Sequence, residues 1–562
     1  MDVASPRLKP STNSVSRHRP GPTSGANSRP ESTGGVDGVS TVDHVARVLI
    51  WMAITAGVLL WTLRHSEAQL RDGLRSIELA QRIDAGSWRE GLFGGIDHPL
   101  HPLGIVAFHG LIGGEGPEWW QRAAVALGFA SIVLLTIPVY LLGRELLGDR
   151  AAWLACALLP ANPVIGSVVV NAISESTFLP AWTWGLWAAV KYLREGRFVW
   201  LPLALGCGAL AYLGRPEGLL LPASVLATLA LVPLHRATRI NWPRWWAAVG
   251  FMAIGSAVVV GPYMAANGSL VSRPGIARVL GLQAQSAANA LERETPLAAG
   301  QTTAQTYRIA AGQALETLFA NVPFALLAAA ALGLFAARDG AIPPRTRLFL
   351  GIVFSASLFA LVRLHATAGY CSPRNALVPG MLLILAAAKG LDWLMKTVSF
   401  DGRLVGLPGE RLQPGAAVWA LAVVPLILIP RLGDPVVSTP GPFNVYWDAG
   451  NWLSQAEPRE GKALDLTDWS LYFSRREGLR FADLPTAATD PSIRWVVALG
   501  EQVDTPSTYS DALHNLIGDR PPIAALPAEP RPGQTQIRIY ERVAPAPSVQ
   551  TAEQPDDAPA RR

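Results

Sequence analysis

Five short stretches of the sequence carry the residue types that acid–base and phosphate chemistry need: Asp72 in RDGLRSIELAQ, His98 and His101 in DHPLHPL, Glu175 in NAISES, Arg215 with Glu217 in YLGRPEG, and Tyr370 with Arg374 in GYCSPRN. A positioned carboxylate can take a proton from a reacting hydroxyl. An arginine suits a phosphate because its planar fork donates two hydrogen bonds at once. Histidines can hydrogen-bond a phosphate or ligate a metal, although two of them do not complete a metal site. Each stretch also has a plain structural reading. Asp72 has the type and place of a helix N-cap, with Gly73 just inside, and Glu175 can cap a helix together with Ser174. The two X-Pro steps around His98 and His101 make a stiff turn. Arg215 and Glu217 can pair across a hairpin, and Arg374 can snorkel to an interface. Spacing alone leaves both readings open.

The elements that must hold these residues are membrane spans. Of 562 residues, 50% are hydrophobic and only 16% are charged, which is too apolar for an ordinary soluble enzyme. About eleven runs approach the roughly 20-residue length of a span. They lie at 46–63, 121–143, 151–170, 174–193, 198–213, 216–234, 245–265, 318–337, 347–362, 375–395 and 415–431. Many of the 19 tryptophans stand beside them, as an aromatic belt would. Lys and Arg gather in one set of loops: Arg144 and Arg150; Lys191, Arg194 and Arg197; Arg236, Arg239 and Arg244; Arg338, Arg345 and Arg347; Lys396, Arg403 and Arg411. The positive-inside rule places these loops and the N-terminus in the cytoplasm. Arginines in the first loop, 64–120, run against that placement, but the rule is weak for long loops. With this orientation Asp72, His98, Glu175, Arg215, Glu217 and Arg374 fall on or near the outer face. An odd number of spans also sends residues 432–562 outside.

Within the first outer loop, Leu70, Leu74, Ile77 and Ala80 recur at helical spacing. The pattern predicts a helix over 70–83 that can lie flat on the outer surface. Residues 1–44 are rich in Ser, Pro, Gly and Arg and read as a disordered cytoplasmic tail. Residues 45–432 form the transmembrane domain, with 64–120 as its large first outer loop. Residues 433–543 alternate short strands, at Lys462–Leu466, Arg494–Leu499 and Gln536–Arg542, with helical pieces at Asp448–Gln455 and Leu471–Arg476. That alternation predicts a small extracytoplasmic α/β domain, followed by a disordered tail over 544–562. Cys156 and Cys207 fall inside apolar runs, so no disulfide framework is implied. The net charge of +5 is spread without a basic stripe, so nucleic acid is not an expected partner. The fold class is an all-α polytopic membrane protein with a small C-terminal α/β domain.

Taken in order, RDGLRSIELAQRI, HPLHPLG, LLGRELLGDRAAWLACALLPANP, YLGRPEGLLL and GYCSPRNALVP resemble motifs of the GT-C membrane glycosyltransferases. The resemblance is to the branch of protein O-mannosyltransferases and lipid A aminoarabinose transferases, glycosyltransferase family 39-like, and covers roughly residues 45–400. It implies a GT-C transmembrane domain and a sugar donor carried on a polyprenyl phosphate. The acceptor is a hydroxyl of a protein, lipid or glycan, reached on the extracytoplasmic face of a bacterial plasma membrane. It implies that Asp72 is the base and that attack inverts the anomeric carbon. Arg374, and Arg215 with His98, would stabilise the leaving phosphate. His101, Glu217 and Tyr370 would add substrate contacts, and Glu175 would be a second acid. No resident cofactor is implied, and a divalent metal stays open. The sequence departs from many members in having Gly73, not a second acid, after Asp72. A lipid or small-molecule transporter or flippase is the competing reading. Such a protein would place ionisable groups near the bilayer midplane and often shows two related halves; here the charges sit at one face.

Overall fold

The structure, a computed structural model, describes residues 41–65, 71–93, 98–234, 240–267, 302–322, 324–336, 342–368, 371–397, 400–401, 411–412, 444–457, 461–487, 489–505, 509–530 and 534–543. The tails at 1–40 and 544–562, the expected span at 415–431 and Tyr370 lie outside the described residues.

The first part of the chain is helical. Helix α1 (Thr41–His65) is followed by three shorter ones, α2 (Arg71–Asp84), α3 (Trp88–Phe93) and α4 (Leu100–Ile112), and then by α5 (Pro117–Leu147). Next come α6 (Asp149–Leu158), α7 (Pro163–Val170), α8 (Glu175–Glu195), α9 (Trp200–Gly214), α10 (Leu220–Leu231) and α11 (Trp242–Ala266). After a break follow α12 (Thr303–Asn321), α13 (Phe324–Ala336), α14 (Pro344–Ala368) and α15 (Leu377–Thr397). Among the described residues six helices are long and apolar enough to cross a membrane, or eight if each of two bent pairs makes one span. The protein is a multi-pass membrane protein.

Two bent pairs separate six spans from eight, and the remaining difference from eleven is the less apolar α8, the short α9 and the run at 415–431, which lies outside the described residues. The run at 151–170 is two helices meeting at 53°, because Asn162 caps α7 by accepting from Val164 N–H at 2.9 Å and Pro163 takes the first helical position. The run at 318–337 bends by 98° between α12 and α13. Helix α9 has 15 residues, too few to cross alone. Helix α8 is less apolar than its neighbours, yet Phe178, Leu179, Trp182, Leu186 and Val190 are all buried. An interior helix does not face lipid, so it can carry more polar residues. By contrast only 17% of the α1 and α11 span windows are buried, which leaves their apolar sides to lipid.

The C-terminal part is a five-stranded sheet of β1 (Lys462–Asp465), β2 (Gly478–Arg480), β3 (Ile493–Leu499), β4 (Ala524–Leu526) and β5 (Ile537–Glu541), in the order β2-β1-β3-β5-β4. β1 runs parallel to β2 and β3; β5 is antiparallel to β3 and β4, with Val497 opposite Ile539. Helices α16 (Asn444–Gln455), α17 (Trp469–Ser474) and α18 (Ser510–Ile517) complete it. One side of the sheet packs Leu464, Val496 and Tyr540 against Leu513 and Ile517 of α18. The other belongs to a core that takes in Trp469 and Phe473 of α17 and extends to Leu74, Ile77 and Ala80 of α2 and Ala123 and Ala124 of α5. Here the structure differs from the expected surface helix. The apolar stripe of α2 is enclosed, and its polar side is held by the C-terminal domain instead of facing open solvent.

Candidate active site

Four helix ends and breaks converge at one end of the bundle. Asp72 stands in the first turn of α2, Glu175 opens α8, Arg215 follows the last turn of α9, and Arg374 lies in a 3-10 turn, Pro373–Ala376, before α15. Their side chains form a row of alternating charge. Arg75 and Arg374 both pair with the Asp72 carboxylate, Arg75 through Oδ1 and Arg374 through Oδ2. Arg374 Nε also lies 3.7 Å from Glu175 Oε1, and the same oxygen pairs with Arg215 Nη1. Arg215 then forks onto Glu217, with Nη2 to Oε1 at 2.7 Å and Nε to Oε2 at 3.2 Å. Asn375 Oδ1 accepts from Arg215 Nη2 at 3.5 Å. Three arginines face three carboxylates, so the row is neutral as a whole.

Burial grades along the row. The side chains of Glu175 and Arg215 are 2% and 5% exposed, whereas those of Asp72 and Arg374 are 26% and 20% exposed. A charge pair that deep survives only if it is well matched, and Arg215 has two carboxylates and an amide around it. The row is buried at its centre and reachable toward both ends: Glu217 is 28% exposed on one side, and on the other the Asp72–Arg374 pair offers a substrate a carboxylate and a guanidinium together.

The backbone at these positions follows from the local sequence. Arg215 is extended (φ −157°, ψ 145°) between α9 and the turn Pro216–Leu219, because Pro216 disfavours a helical residue before it. Gly218 lets that turn fold back: a side-chain carbon there would collide with the backbone of Ala211 and Tyr212. Irregular backbone at the end of a bundle is tolerated where protein surrounds it. The Arg374 turn is fixed from α12, with Asn321 Nδ2 donating to the Pro373 carbonyl and Thr317 Oγ1 to the Cys371 carbonyl at 3.3 Å.

The turn before α8 is held most tightly. Ala172 has φ 50°, a left-handed conformation that is costly for alanine. Its carbonyl lies 2.8 Å from His101 Nε2, which therefore carries the ring proton, and His101 Nδ1 lies 3.4 Å from Thr177 Oγ1. Against the same turn packs Gly73, where any side-chain carbon would collide with the Asn171 carbonyl oxygen. Thus the residue after Asp72 is a glycine because α2 rests directly on the backbone that leads into Glu175. His101 is fully buried and clamps this turn. His98, also buried, packs edge-on against Tyr212 at 5.0 Å and beside Tyr263 at 5.6 Å.

The structure therefore brings Asp72, Glu175, Arg215, Glu217 and Arg374 into one row and puts His101 beneath it, with His98 in a neighbouring aromatic group; Tyr370 lies outside the described residues. Arg75, Asn375, Ala172 and Thr177 were missed in the sequence. Only Arg75 had a signal there, since a charge three residues from Asp72 on a helix is a neighbour.

From the other side, the C-terminal domain grips α2. Arg71 donates to the Leu466 carbonyl at 2.7 Å and lies 3.7 Å from the Asp468 carboxylate. Arg480 forks onto Glu78, with Nη1 at 2.9 Å from Oε2. Gln81 Nε2 donates to Tyr472 Oη at 3.1 Å, and that hydroxyl donates to the Pro117 carbonyl at 3.2 Å. Burial holds the Tyr472 hydroxyl well above the ordinary tyrosine range, and it also raises the Asp468 carboxyl against the pull of Arg71.

Comparison with known proteins bears on the fold. The profile of the family described as dolichyl-phosphate-mannose-protein mannosyltransferase matches residues 97–260. The chain has the GT-C fold and is a glycosyltransferase. Among solved structures, the apo oligosaccharyltransferase of Archaeoglobus fulgidus superposes with a TM-score of 0.53 at 13% identity, over 82% of this chain and 70% of that one. The same archaeal enzyme, AglB, in complex with an inhibitory peptide and a dolichol-phosphate, gives 0.53 at 13% identity, with the same coverage of 82% and 70%. Apo ArnT from Cupriavidus metallidurans gives 0.50 at 16% identity, over 88% of this chain and 98% of that one. None of the curated proteins matches the sequence.

Proposed function

We propose that this GT-C glycosyltransferase moves a sugar from a polyprenyl-phosphate donor to an acceptor hydroxyl, on the extracytoplasmic side and with inversion. The observation that carries the reading is the Asp72–Arg374 pair: a reachable carboxylate and a reachable guanidinium, side by side, backed by the buried Glu175–Arg215 pair. A dolichol-phosphate in the fold neighbour from Archaeoglobus supports a lipid-phosphate donor.

In the resting arrangement Arg374 and Arg75 occupy Asp72, and opposite charge beside a carboxylate lowers its basicity. A donor phosphate competes for Arg374, since an arginine–phosphate fork is strong and planar. As Arg374 turns to the phosphate, Asp72 Oδ2 is released to accept the acceptor's hydroxyl proton. The acceptor oxygen then attacks the anomeric carbon opposite the phosphate, the carbon–oxygen bond to the phosphate breaks, and the phosphate leaves with the electron pair. Arg374 stabilises that developing charge. Arg215, already neutralised by two carboxylates, acts by fixing Glu175, and Glu175 keeps Arg374 within reach of both roles.

The experiment is transfer in proteoliposomes from labelled polyprenyl-phosphate sugars, with nucleotide sugars alongside. Label should pass to an acceptor, or to water more slowly, from a lipid-phosphate donor only. No turnover from any such donor, or turnover from nucleotide sugars, overturns the reading.

A further inference from the structure

We infer that the chain holds an anionic bilayer phospholipid in a cavity at the end of the helical bundle opposite Asp72, a site independent of the proposed transfer chemistry. The cavity has a volume of about 420 Å³ and lies between the C-terminal ends of α5 and α13, the first half of α14 and the middle of α15. That is ample for part of a small-molecule ligand. Its wall is apolar, with Leu146, Leu350, Phe354 and Leu383, and two cations, Arg347 and Lys389, stand in the lining.

Among the described residues the two cations lack a matching anion. Arg347 is exposed and has no carboxylate partner among the described residues. Lys389 has only Asp392, at 4.0 Å, and that carboxylate is engaged by Lys396 at 2.7 Å. Among the described residues, the lining cations Arg347 and Lys389, with Lys396 further along α15, face the single carboxylate of Asp392 beside an apolar slot.

Position decides the kind of ligand. Lys389 lies fifteen residues beyond Arg374 on one helical run, which is about 22 Å at 1.5 Å per residue. Helix α5 starts at Pro117, whose carbonyl accepts from Tyr472 beside α2, and reaches Leu146 about 44 Å further on. A lipid in this cavity therefore has its phosphate at the far face of the membrane domain from Asp72. It is not a donor poised for transfer. An acyl chain suits the apolar wall, and a phosphate suits a lining that carries a guanidinium and an ammonium. Basic pockets between spans recognise anionic headgroups in this way. A zwitterionic lipid would leave the lining cations uncompensated.

The test is native mass spectrometry of the purified full chain, titrated with phosphatidylglycerol, phosphatidylcholine and polyprenyl phosphate. One phosphatidylglycerol should be retained in preference to phosphatidylcholine. Arg347→Ala with Lys389→Ala should weaken that retention about 30-fold, equivalent to about 2 kcal/mol, while Arg347→Lys keeps most of it. Because Arg347 is exposed, Arg347→Glu alone carries the test if the double variant does not fold. Equal retention of both phospholipids, unchanged retention in the charge variants, or one-for-one displacement by polyprenyl phosphate would each overturn the assignment.

Discussion

Replacing Asp72 with asparagine tests the site most directly. The change keeps shape and removes one negative charge from a row that is otherwise balanced. In the native row the carboxylate engages Arg75 and Arg374 at side-chain exposures of 26% for Asp72 and 20% for Arg374. That burial lies between an exposed pair, worth about 0.2–1 kcal/mol, and a buried one whose breakage costs about 3–5 kcal/mol. A stability loss of about 1–2 kcal/mol follows. Loss of a general base removes about 10²–10⁴ of rate, or roughly 3–5 kcal/mol of transition-state stabilisation. The two effects separate in kinetics. Asparagine releases Arg374, so KM for the lipid-phosphate donor should stay the same or fall while kcat drops at least a hundredfold by the base estimate. Initial rates in proteoliposomes across a donor concentration series give both values, and thermal melting of the same preparations gives the stability. A variant that melts within a few degrees of the parent and turns over within threefold of it refutes the assignment of the base. An unchanged kcat with a raised KM would instead make Asp72 a residue that organises donor binding.

Other substitutions probe the frame. Glu175→Gln should destabilise by about 3–5 kcal/mol because it strips a buried partner from Arg215, and Glu175→Gln with Arg215→Gln should cost less than the sum of the single changes; additive losses in denaturant melts would show that the pair is uncoupled. Gly73→Ala must push α2 away from the Asn171 carbonyl, so a stability loss of about 1–3 kcal/mol and a fall in transfer are expected, and normal activity would mean that this contact does not set the position of Asp72. Burial pushes the Asp465 carboxyl up to about 6, against hydrogen bonds from Thr467 and the Leu471 N–H. The folded state therefore holds an extra proton between about pH 4 and 6, and this contribution to stability is full below pH 4 and lost as pH rises through 6. Asp465→Asn should flatten that part of a melting-temperature profile; an unchanged slope would assign it to other groups.

Much of the fold is legible because its signals are local. A long apolar run makes helix, Pro216 breaks a helix at Arg215, and the strands at 493–499 and 537–541 lie within a residue of where alternation and apolar content predict them. The helix predicted at 70–83 is observed at Arg71–Asp84. What was illegible depends on partners distant in the chain. The order of strands in the sheet, the 53° and 98° bends and the enclosure of α2 beneath the C-terminal domain are settled by packing between segments up to about 400 residues apart, as in the Glu78–Arg480 pair.

The same division runs through the site. By itself the sequence determined that a carboxylate near a helix start, an arginine at a Pro-broken helix end and an arginine before a span were present, since residue type and backbone preference are properties of a few neighbouring positions. It favoured a helix cap for Asp72 and left Arg374 free to snorkel. Only the tertiary structure decided that Asp72 reaches across 302 positions to Arg374, that Glu175 bridges Arg374 to Arg215, and that His101 serves the strained Ala172 turn. Charge attraction of this kind acts over a few ångströms of space, and distance in space is fixed by how the helices pack.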